Sequence, residues 1–190
     1  MPPKFINTRI QKLIRHVYEL NRWEPDRFTP WYVDDQRVGF LLPFMCDALK
    51  QWPDLFVVQP DKVEIKGYPD DFDARNQALD QVIRALVEQQ VIDHYLDEPY
   101  PVISPAGDKR LHAIIDRGAA AYFGIQAFGQ HINGYVRQDD EIKLWIARRS
   151  DDRIRFPNKL DNFVAGGLPQ NQTMADNLIK ECYEEAGVRA

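Results

Sequence analysis

The strongest constraint on the fold lies near the end of the chain, where a glycine doublet precedes an amphipathic helix. The β-prone run Phe163-Val164-Ala165 leads into Gly166-Gly167, and glycines let the backbone turn sharply and approach other groups closely. Hydrophobic periodicity then predicts a helix from about Met174 to Ala186. The segment therefore predicts a strand, a glycine turn and a helix in succession.

The predicted helix brings three carboxylates together. At about 100° per residue, Glu181, Glu184 and Glu185 share one arc. The neighbouring arc is apolar, and we expect it to be buried against a sheet; its residues are Ala175, Leu178, Ile179, Cys182 and Ala186. Carboxylates at this spacing repel one another, and a hard divalent cation removes that repulsion. A solvated acidic helix face is the alternative interpretation.

Taken as a whole, the segment resembles the signature of the Nudix hydrolases. That signature reads Gly, five residues, Glu, seven residues, Arg-Glu, an aliphatic residue, any residue, Glu-Glu, any residue, Gly and an aliphatic residue. The spacing agrees throughout, and the matching residues are Gly166, Glu181, Glu184, Glu185, Gly187 and Val188. Cys182 stands at an aliphatic position, Gln172 where the family has Glu, and Lys180 where it has Arg.

The last two departures change the chemistry of the signature. A Gln172–Lys180 pair keeps approximate shape and hydrogen bonding, but it has one charge fewer than Glu–Arg and lacks the bidentate fork. If the family pair fixes the loop over the helix, we expect that loop to be held less firmly here. If the family Glu touches metal, that ligand is weaker. Because the three helix carboxylates are intact, we expect metal binding to survive.

Residues upstream of the signature resemble one branch of these hydrolases, which carries an N-terminal domain and is related to Nudix proteins fused to thiamine pyrophosphokinase. Residues 144–150 and 159–167 look like its strand and approach loop. The resemblance implies an α+β fold, with an accessory α+β domain over residues 1–122. Residues 123–190 would form the first half of a Nudix α/β/α sandwich with a mixed sheet. Because that sandwich has further strands and a second helix, the resemblance predicts a domain truncated after the signature, which leaves the competence of the active site open.

The resemblance implies hydrolysis of a phosphoanhydride bond in a nucleoside-diphosphate-like or thiamine-diphosphate-like small molecule. Mg²⁺ or Mn²⁺ would bridge the diphosphate oxygens. The implied metal ligands are Glu181, Glu184, Glu185 and the carbonyl of Gly166, with Glu181 and Glu184 as catalytic residues. The implied substrate contacts are Arg148, Arg149 and Lys159, for which solvated loop charges are the alternative.

Two other functions are open on the same scaffold. Gln172 and Lys180 favour a ligand-binding module without efficient catalysis. A Nudix-type isomerase has a similar approach loop, but it ranks lower because no second acid/base pair is identifiable in the sequence.

Charge and composition narrow the range of partners. Lys and Arg number 24 against 29 Asp and Glu, a net charge of −5, which gives no global attraction to nucleic acid or anionic lipid. The longest stretch without a formal charge, 118–136, includes Gln126, Gln130, His131 and Asn133, which are too costly for a membrane span. With no compact apolar signal at the start, we expect a cytoplasmic protein; a homo-oligomer is left open.

Upstream of the signature, periodicity and turn residues predict the main elements. A long helix is predicted between Asp71 and Gln90. One hairpin is predicted from residues 31–33 and 37–41, and a second from residues 128–137 and 142–148. Residues 97–101 are expected to form a polar, proline-rich connector.

Overall fold

A computed structural model describes residues 8–66, 71–106, 110–153 and 156–189. Over these ranges the fold is α+β and contains a mixed sheet, as the sequence predicts. The helices are α1 (Thr8–Leu20), α2 (Pro43–Leu49), α3 (Phe72–Glu88) and α4 (Met174–Ala186). Among the described residues, none of the helices combines the length and the apolar character that crossing a bilayer requires.

The mixed sheet has four strands in the order β2-β1-β4-β3. Its strands are β1 (Thr29–Val33), β2 (Gln36–Leu41), β3 (Phe56–Val58) and β4 (Val63–Ile65). β1 and β2 form the first predicted hairpin, and β3 pairs antiparallel with β4. The central pair is parallel, with Trp31 opposite Val63, because α2 and β3 return the chain to the other side of β1.

A second, two-stranded sheet packs on the predicted long helix α3. It consists of β5 (Pro99–Ile103) and β6 (Leu111–Asp116), which pair antiparallel. The prediction of a connector over residues 97–101 is therefore wrong from Pro99 onward. Proline is tolerated in an edge strand because its missing N–H is not needed by a second neighbour, and β5 pairs with β6 alone in the described part of the chain.

The main core lies between these sheets and their helices, and Trp31 is at its centre. Its side chain is completely buried, its Nε1 donates to the carbonyl of Phe123 at 2.7 Å, and the two rings meet edge to face at 5.4 Å. Other fully buried members are Val33, Val38, Leu41, Met45, Leu49, Leu79, Ile83, Leu86 and Ile92. The chain that follows Phe123 thus starts from a fixed point in the core.

The remaining strands form three antiparallel pairs, β7–β12, β8–β9 and β10–β11, and β12 packs against α4. They are β7 (Gly129–Ile132), β8 (Tyr135–Gln138), β9 (Glu141–Leu144), β10 (Ala147–Arg148), β11 (Leu160–Asp161) and β12 (Val164–Gly167). The second predicted hairpin is only partly correct, because its first strand is divided in two: β7 ends at Ile132 and β8 begins at Tyr135. A Cβ at Gly134 would lie 2.9 Å from the Phe163 ring, so glycine allows the tight passage that separates β7 from β8. β7 then pairs with β12 instead of continuing the hairpin.

Candidate metal-binding site

Helix α4 begins and ends where the sequence predicts. Thr173 caps its start, with Oγ1 accepting from the N–H of Asp176 at 3.1 Å. Gly187 closes its end at φ +65°, a left-handed conformation that favours glycine. Both ends of the helix are therefore fixed by local sequence.

One face of α4 lies against β12 through a row of polar side chains. Asn177, Glu181 and Glu185 are spaced by four residues and so share a face. Asn177 contacts Gly167, Glu181 contacts Gly166 and Glu185 contacts Ala165. We call this contact the β12–α4 seam; its members are Ala165, Gly166, Gly167, Asn177, Glu181 and Glu185.

At the centre of the seam, the carboxylate of Glu181 lies directly on the backbone of Gly166. A Cβ atom at Gly166 would overlap this carboxylate, with both of its oxygens at 2.5 Å, and the Glu181 side chain is only 12% exposed. The doublet is not the predicted turn: Gly166 and Gly167 lie within β12 and have no positive φ. Glycine is needed here for close approach and not for an unusual conformation.

Lys180 provides the cation nearest to two of the carboxylates. Its Nζ lies 3.3 Å from Glu181 Oε1 and 3.1 Å from Glu184 Oε2. Burial alone would lower the pKa of Lys180, but hydrogen bonds to Glu184 and Glu181 outweigh it and raise the pKa above its usual value. Lys180 is therefore charged at neutral pH, and Glu181 and Glu184 converge on one cation.

The third carboxylate, Glu185, joins the strand to a preceding loop. Its Oε2 accepts from the N–H of Ala165 at 3.0 Å, and its Oε1 lies 3.3 Å from Arg153 Nη2. The sequence indicates only a charged loop around Arg153, because nothing in its spacing links that loop to the helix. Glu185 thus already has an N–H donor and a cation.

These contacts decide how the predicted metal ligands fit a cation. Within the described ranges, no group of three or more His, Cys, Asp or Glu side chains is arranged to hold a metal ion, so the three carboxylates do not converge together. Glu181 and Glu184 do converge, and the glycine at 166 opens the backbone beside Glu181. Oxygen donors of this kind suit Mg²⁺ or Mn²⁺. The pair therefore fits a divalent cation once Lys180 moves aside.

The apolar arc of α4 is not buried against a sheet, so that prediction is wrong. Leu178 is 38% exposed and Ile179 is 49% exposed. The physical reason is the rotation of the helix, because the polar residues of the seam face β12 and turn these apolar side chains away from it.

The three predicted substrate cations lie on or beside the β10–β11 pair, and they differ in their contacts. Arg149 Nη1 bonds Asp161 Oδ2 at 2.8 Å, and its Nε donates to the carbonyl of Phe156 at 3.2 Å. That bond from Arg149 lowers the pKa of Asp161. Arg148 and Lys159 are exposed and make no ion pair with any described residue. Arg149 therefore stabilises the loop, whereas Arg148 and Lys159 remain accessible to a ligand.

The opposite face of β12 contacts the β5–β6 sheet, because successive strand residues point to opposite sides. A Cβ at Gly167 would overlap the hydroxyl of Tyr100 and would lie 3.3 Å from Cζ of Arg117. Tyr100 is only 3% exposed, and burial raises the pKa of its hydroxyl. Arg117 in turn bonds Glu98 at 2.8 Å. The doublet is thus enclosed from both sides.

Gln172, where the signature has Glu, does not bond Lys180. The Oε1 atom of Gln172 is buried and has no hydrogen-bond partner among the described residues, while Lys180 bonds Glu181 and Glu184 instead. The Gln172–Lys180 pair is therefore absent in the described structure, and Lys180 bonds the two carboxylates instead.

Sequence reasoning missed several residues that position this site: Tyr100, Arg117, Gln130, Arg153 and Asn177. For Asn177 a signal was available, since a polar residue four positions before Glu181 shares its helix face. The others come from distant segments, and one sequence contains no information on which of them reach β12.

Comparison with known proteins finds one matching family model and several relatives. A family model described as Domain of unknown function (DUF4743) matches residues 10–127. The chain is 36% identical to Nudix hydrolase 20, chloroplastic, of Arabidopsis thaliana, over 85% of this chain and 45% of that protein. It is also 36% identical to Nudix hydrolase 24, chloroplastic, of the same plant, over 85% of this chain and 44% of that protein.

A more distant relative is an uncharacterized protein of Saccharomyces cerevisiae, 28% identical over 82% of this chain and 47% of that protein. The chain spans about half the length of the curated relatives that it matches. The similarity therefore extends over most of this chain but over only part of each relative.

Proposed function

Because the chain belongs to the family described as Domain of unknown function (DUF4743) and is related to proteins named Nudix hydrolase, we propose that it takes part in metal-dependent hydrolysis of a phosphoanhydride bond. The proposed substrate is a small nucleoside-diphosphate-like or thiamine-diphosphate-like compound. The proposed cofactor is Mg²⁺ or Mn²⁺.

One observation carries this proposal: two carboxylates converge on a single cation beside a glycine backbone. Glu181 and Glu184 both bond Lys180, and the Glu181 carboxylate lies where a Cβ of Gly166 would be. In the proposed site these two carboxylates would hold the metal, and the Gly166 carbonyl and Glu185 would be its further oxygen ligands. When bound, the metal would neutralise charge on the diphosphate oxygens.

The residues of the chain divide the remaining work. The Glu181 side chain is only 12% exposed and lies against the Gly166 backbone, so its carboxylate is held in one place. The Glu184 side chain is 53% exposed, and its second carboxylate oxygen is the one proposed to accept a proton from an attacking water. Arg148 and Lys159 are the exposed cations available to a diphosphate. Arg149 keeps their loop in place through its bond to Asp161.

The test is hydrolysis of a panel of diphosphate compounds, including thiamine diphosphate and its oxidised forms, with Mg²⁺ or Mn²⁺. Phosphate release is measured for the wild type and for a variant with Glu181, Glu184 and Glu185 changed to Gln. We expect the variant to lose about a hundredfold or more, because removal of catalytic charge typically costs this much.

A matched control removes the same number of acidic groups away from the seam. The control carries Asp139→Asn and Asp140→Asn in the β8–β9 turn and Glu141→Gln at the start of β9, and we expect it to hydrolyse the panel like the wild type. Equal activity of the Glu181, Glu184 and Glu185 variant and this control would exclude the proposed catalytic role.

A second function, binding of a diphosphate compound without efficient turnover, is favoured by the position of Lys180. An ammonium group between Glu181 and Glu184 competes with a metal, and Gln172 supplies no carboxylate to draw it away. This function predicts saturable binding without product, with activity gained in the double variant Gln172→Glu with Lys180→Arg. Rapid turnover by the wild type would rule it out.

The same position of Lys180 makes a direct prediction about metal affinity. Lys180→Met is expected to bind Mn²⁺ about two- to thirtyfold more tightly, because breaking its two ion pairs costs only about 0.2–1 kcal/mol each. The affinity is measured by titrating free Mn²⁺ with the protein. Lys143→Met, on the exposed strand β9, is the control; weaker binding by the Lys180 variant would contradict the proposed competition.

A further inference from the structure

Asn177 is the buried residue of α4, all thirteen of whose residues are described. Its side chain is completely enclosed, although asparagine is polar and the rest of the helix is at least partly exposed. A buried amide is costly unless its hydrogen bonds are made. The contacts of Asn177 therefore indicate why this position is polar.

The amide of Asn177 joins three elements through its two donor hydrogens. Nδ2 donates to the carbonyl of Gly167 on β12 at 3.0 Å and to Oε1 of Gln130 on β7 at 2.7 Å. Gln130 Nε2 in turn donates to the carbonyl of Met174, in the first turn of α4, at 2.8 Å. One side chain thus links the helix to both strands of the β7–β12 pair.

The orientation of these amides follows from their partners. The Met174 carbonyl can only accept, so the nitrogen of Gln130 must face it and the oxygen of Gln130 must face Asn177. The Gly167 carbonyl can also only accept, so Asn177 must present its nitrogen to both groups. Only one orientation of the Asn177 and Gln130 amides satisfies these hydrogen bonds, so both side chains are fixed in place.

The oxygen of the Asn177 amide, unlike its nitrogen, is unpaired among the described residues. Its Oδ1 is buried with no hydrogen-bond partner among the described residues. A buried unpaired acceptor is destabilising, so an apolar side chain would be preferred here if only packing mattered. The donors are therefore the property that distinguishes asparagine at this position.

The place of Asn177 in the seam connects these donors to the carboxylate pair. Glu181 lies one helical turn further on the same face, against Gly166, the neighbour of the glycine that Asn177 holds. We propose that Asn177 is a positioning residue that fixes the β12 backbone relative to Glu181, so that the Glu181 carboxylate is held where it and Glu184 can serve one cation. This inference rests on the proposed metal-dependent function.

The test compares Mn²⁺ affinity of the wild-type 190-residue chain with that of Asn177→Leu, which keeps the branched arrangement of side-chain heavy atoms but removes the donors. We expect its Mn²⁺ dissociation constant to rise about tenfold, as for residues that orient metal ligands. Amide hydrogen exchange without metal should be faster for residues 164–168. Asn177→Ser, which keeps one donor, is expected to give an intermediate dissociation constant.

A control separates positioning from general loosening of α4. Ala175→Gly weakens the exposed side of the helix through the low helix propensity of glycine, without removing a contact to β12, and should leave Mn²⁺ affinity unchanged. Wild-type affinity in Asn177→Leu, or in Asn177→Ser if the leucine variant does not fold, would overturn the inference. Failure of the wild type to bind Mn²⁺ would instead overturn the proposed function on which it rests.

Discussion

Replacing Gly166 with alanine is expected to weaken Mn²⁺ binding at least about tenfold, as does disturbance of other groups that orient metal ligands. A Cβ at this position overlaps the Glu181 carboxylate, so Glu181 must leave the β12 backbone. Because Gly166 has no positive φ and the overlapping atoms are the end of the long Glu181 side chain, we expect only a small change in thermal stability. Mn²⁺ titration and thermal unfolding measure the two effects.

Shortening the displaced side chain provides the control for this prediction. Gly166→Ala combined with Glu181→Asp draws the carboxylate back by one methylene, and it should recover part of the lost Mn²⁺ affinity. If Gly166→Ala binds Mn²⁺ like the wild type, the contact between Glu181 and the Gly166 backbone has no part in holding a cation.

The elements that the sequence predicts correctly are those whose limits depend on neighbouring residues. The limits of α4 were predictable because Thr173 and Gly187 fix them through local hydrogen bonding and backbone conformation. The β1–β2 hairpin was predictable for the same reason, since its turn and its apolar pattern are adjacent in the chain. Local rules were therefore sufficient wherever the partners are close in sequence.

The rotation of α4 was not predictable, because it depends on partners far away in the chain. The apolar arc containing Leu178 and Ile179 gives the greater hydrophobic signal, yet the helix turns Asn177 to β12. That choice is decided by Gln130, forty-odd positions upstream, whose amide completes the network. Periodicity identifies the arcs of a helix but does not determine which arc faces a strand that offers carbonyl groups.

The role of the glycine doublet was identified only in part. Its close approach to a carboxylate was expected, whereas the enclosure of its second glycine by the β5–β6 sheet was not. Tyr100 lies in a segment that resembled a proline-rich connector and proved to be β5. Because β5 was not predicted, the contact between Tyr100 and Gly167 of β12 was not predicted either.

That contact underlies the prediction with the largest effect on stability. Gly167→Ala is expected to lower the free energy of unfolding by about 1–3 kcal/mol, the usual cost of forcing a methyl group into a packed site. The new Cβ would overlap the hydroxyl of Tyr100, which is buried and cannot move into solvent. Because Gly167 faces away from Glu181, its substitution should affect Mn²⁺ affinity less than Gly166→Ala does. Denaturant unfolding of both variants measures the difference.

Removing the obstructing hydroxyl tests the cause of this loss. Tyr100→Phe deletes the atom that meets the Cβ, and it gives up a long contact to the Phe128 carbonyl at 3.5 Å and a hydrogen bond from the backbone N–H of Leu168. The double variant Gly167→Ala with Tyr100→Phe should therefore recover most of the lost stability, whereas Tyr135→Phe on the exposed strand β8 should recover none. Equal loss with and without the Tyr100 hydroxyl would mean that the adjacent Arg117, or the loss of glycine itself, accounts for the effect. Because the two glycines point to opposite sides of one strand, the pair of variants separates cation binding at one face from packing of the N-terminal sheets at the other.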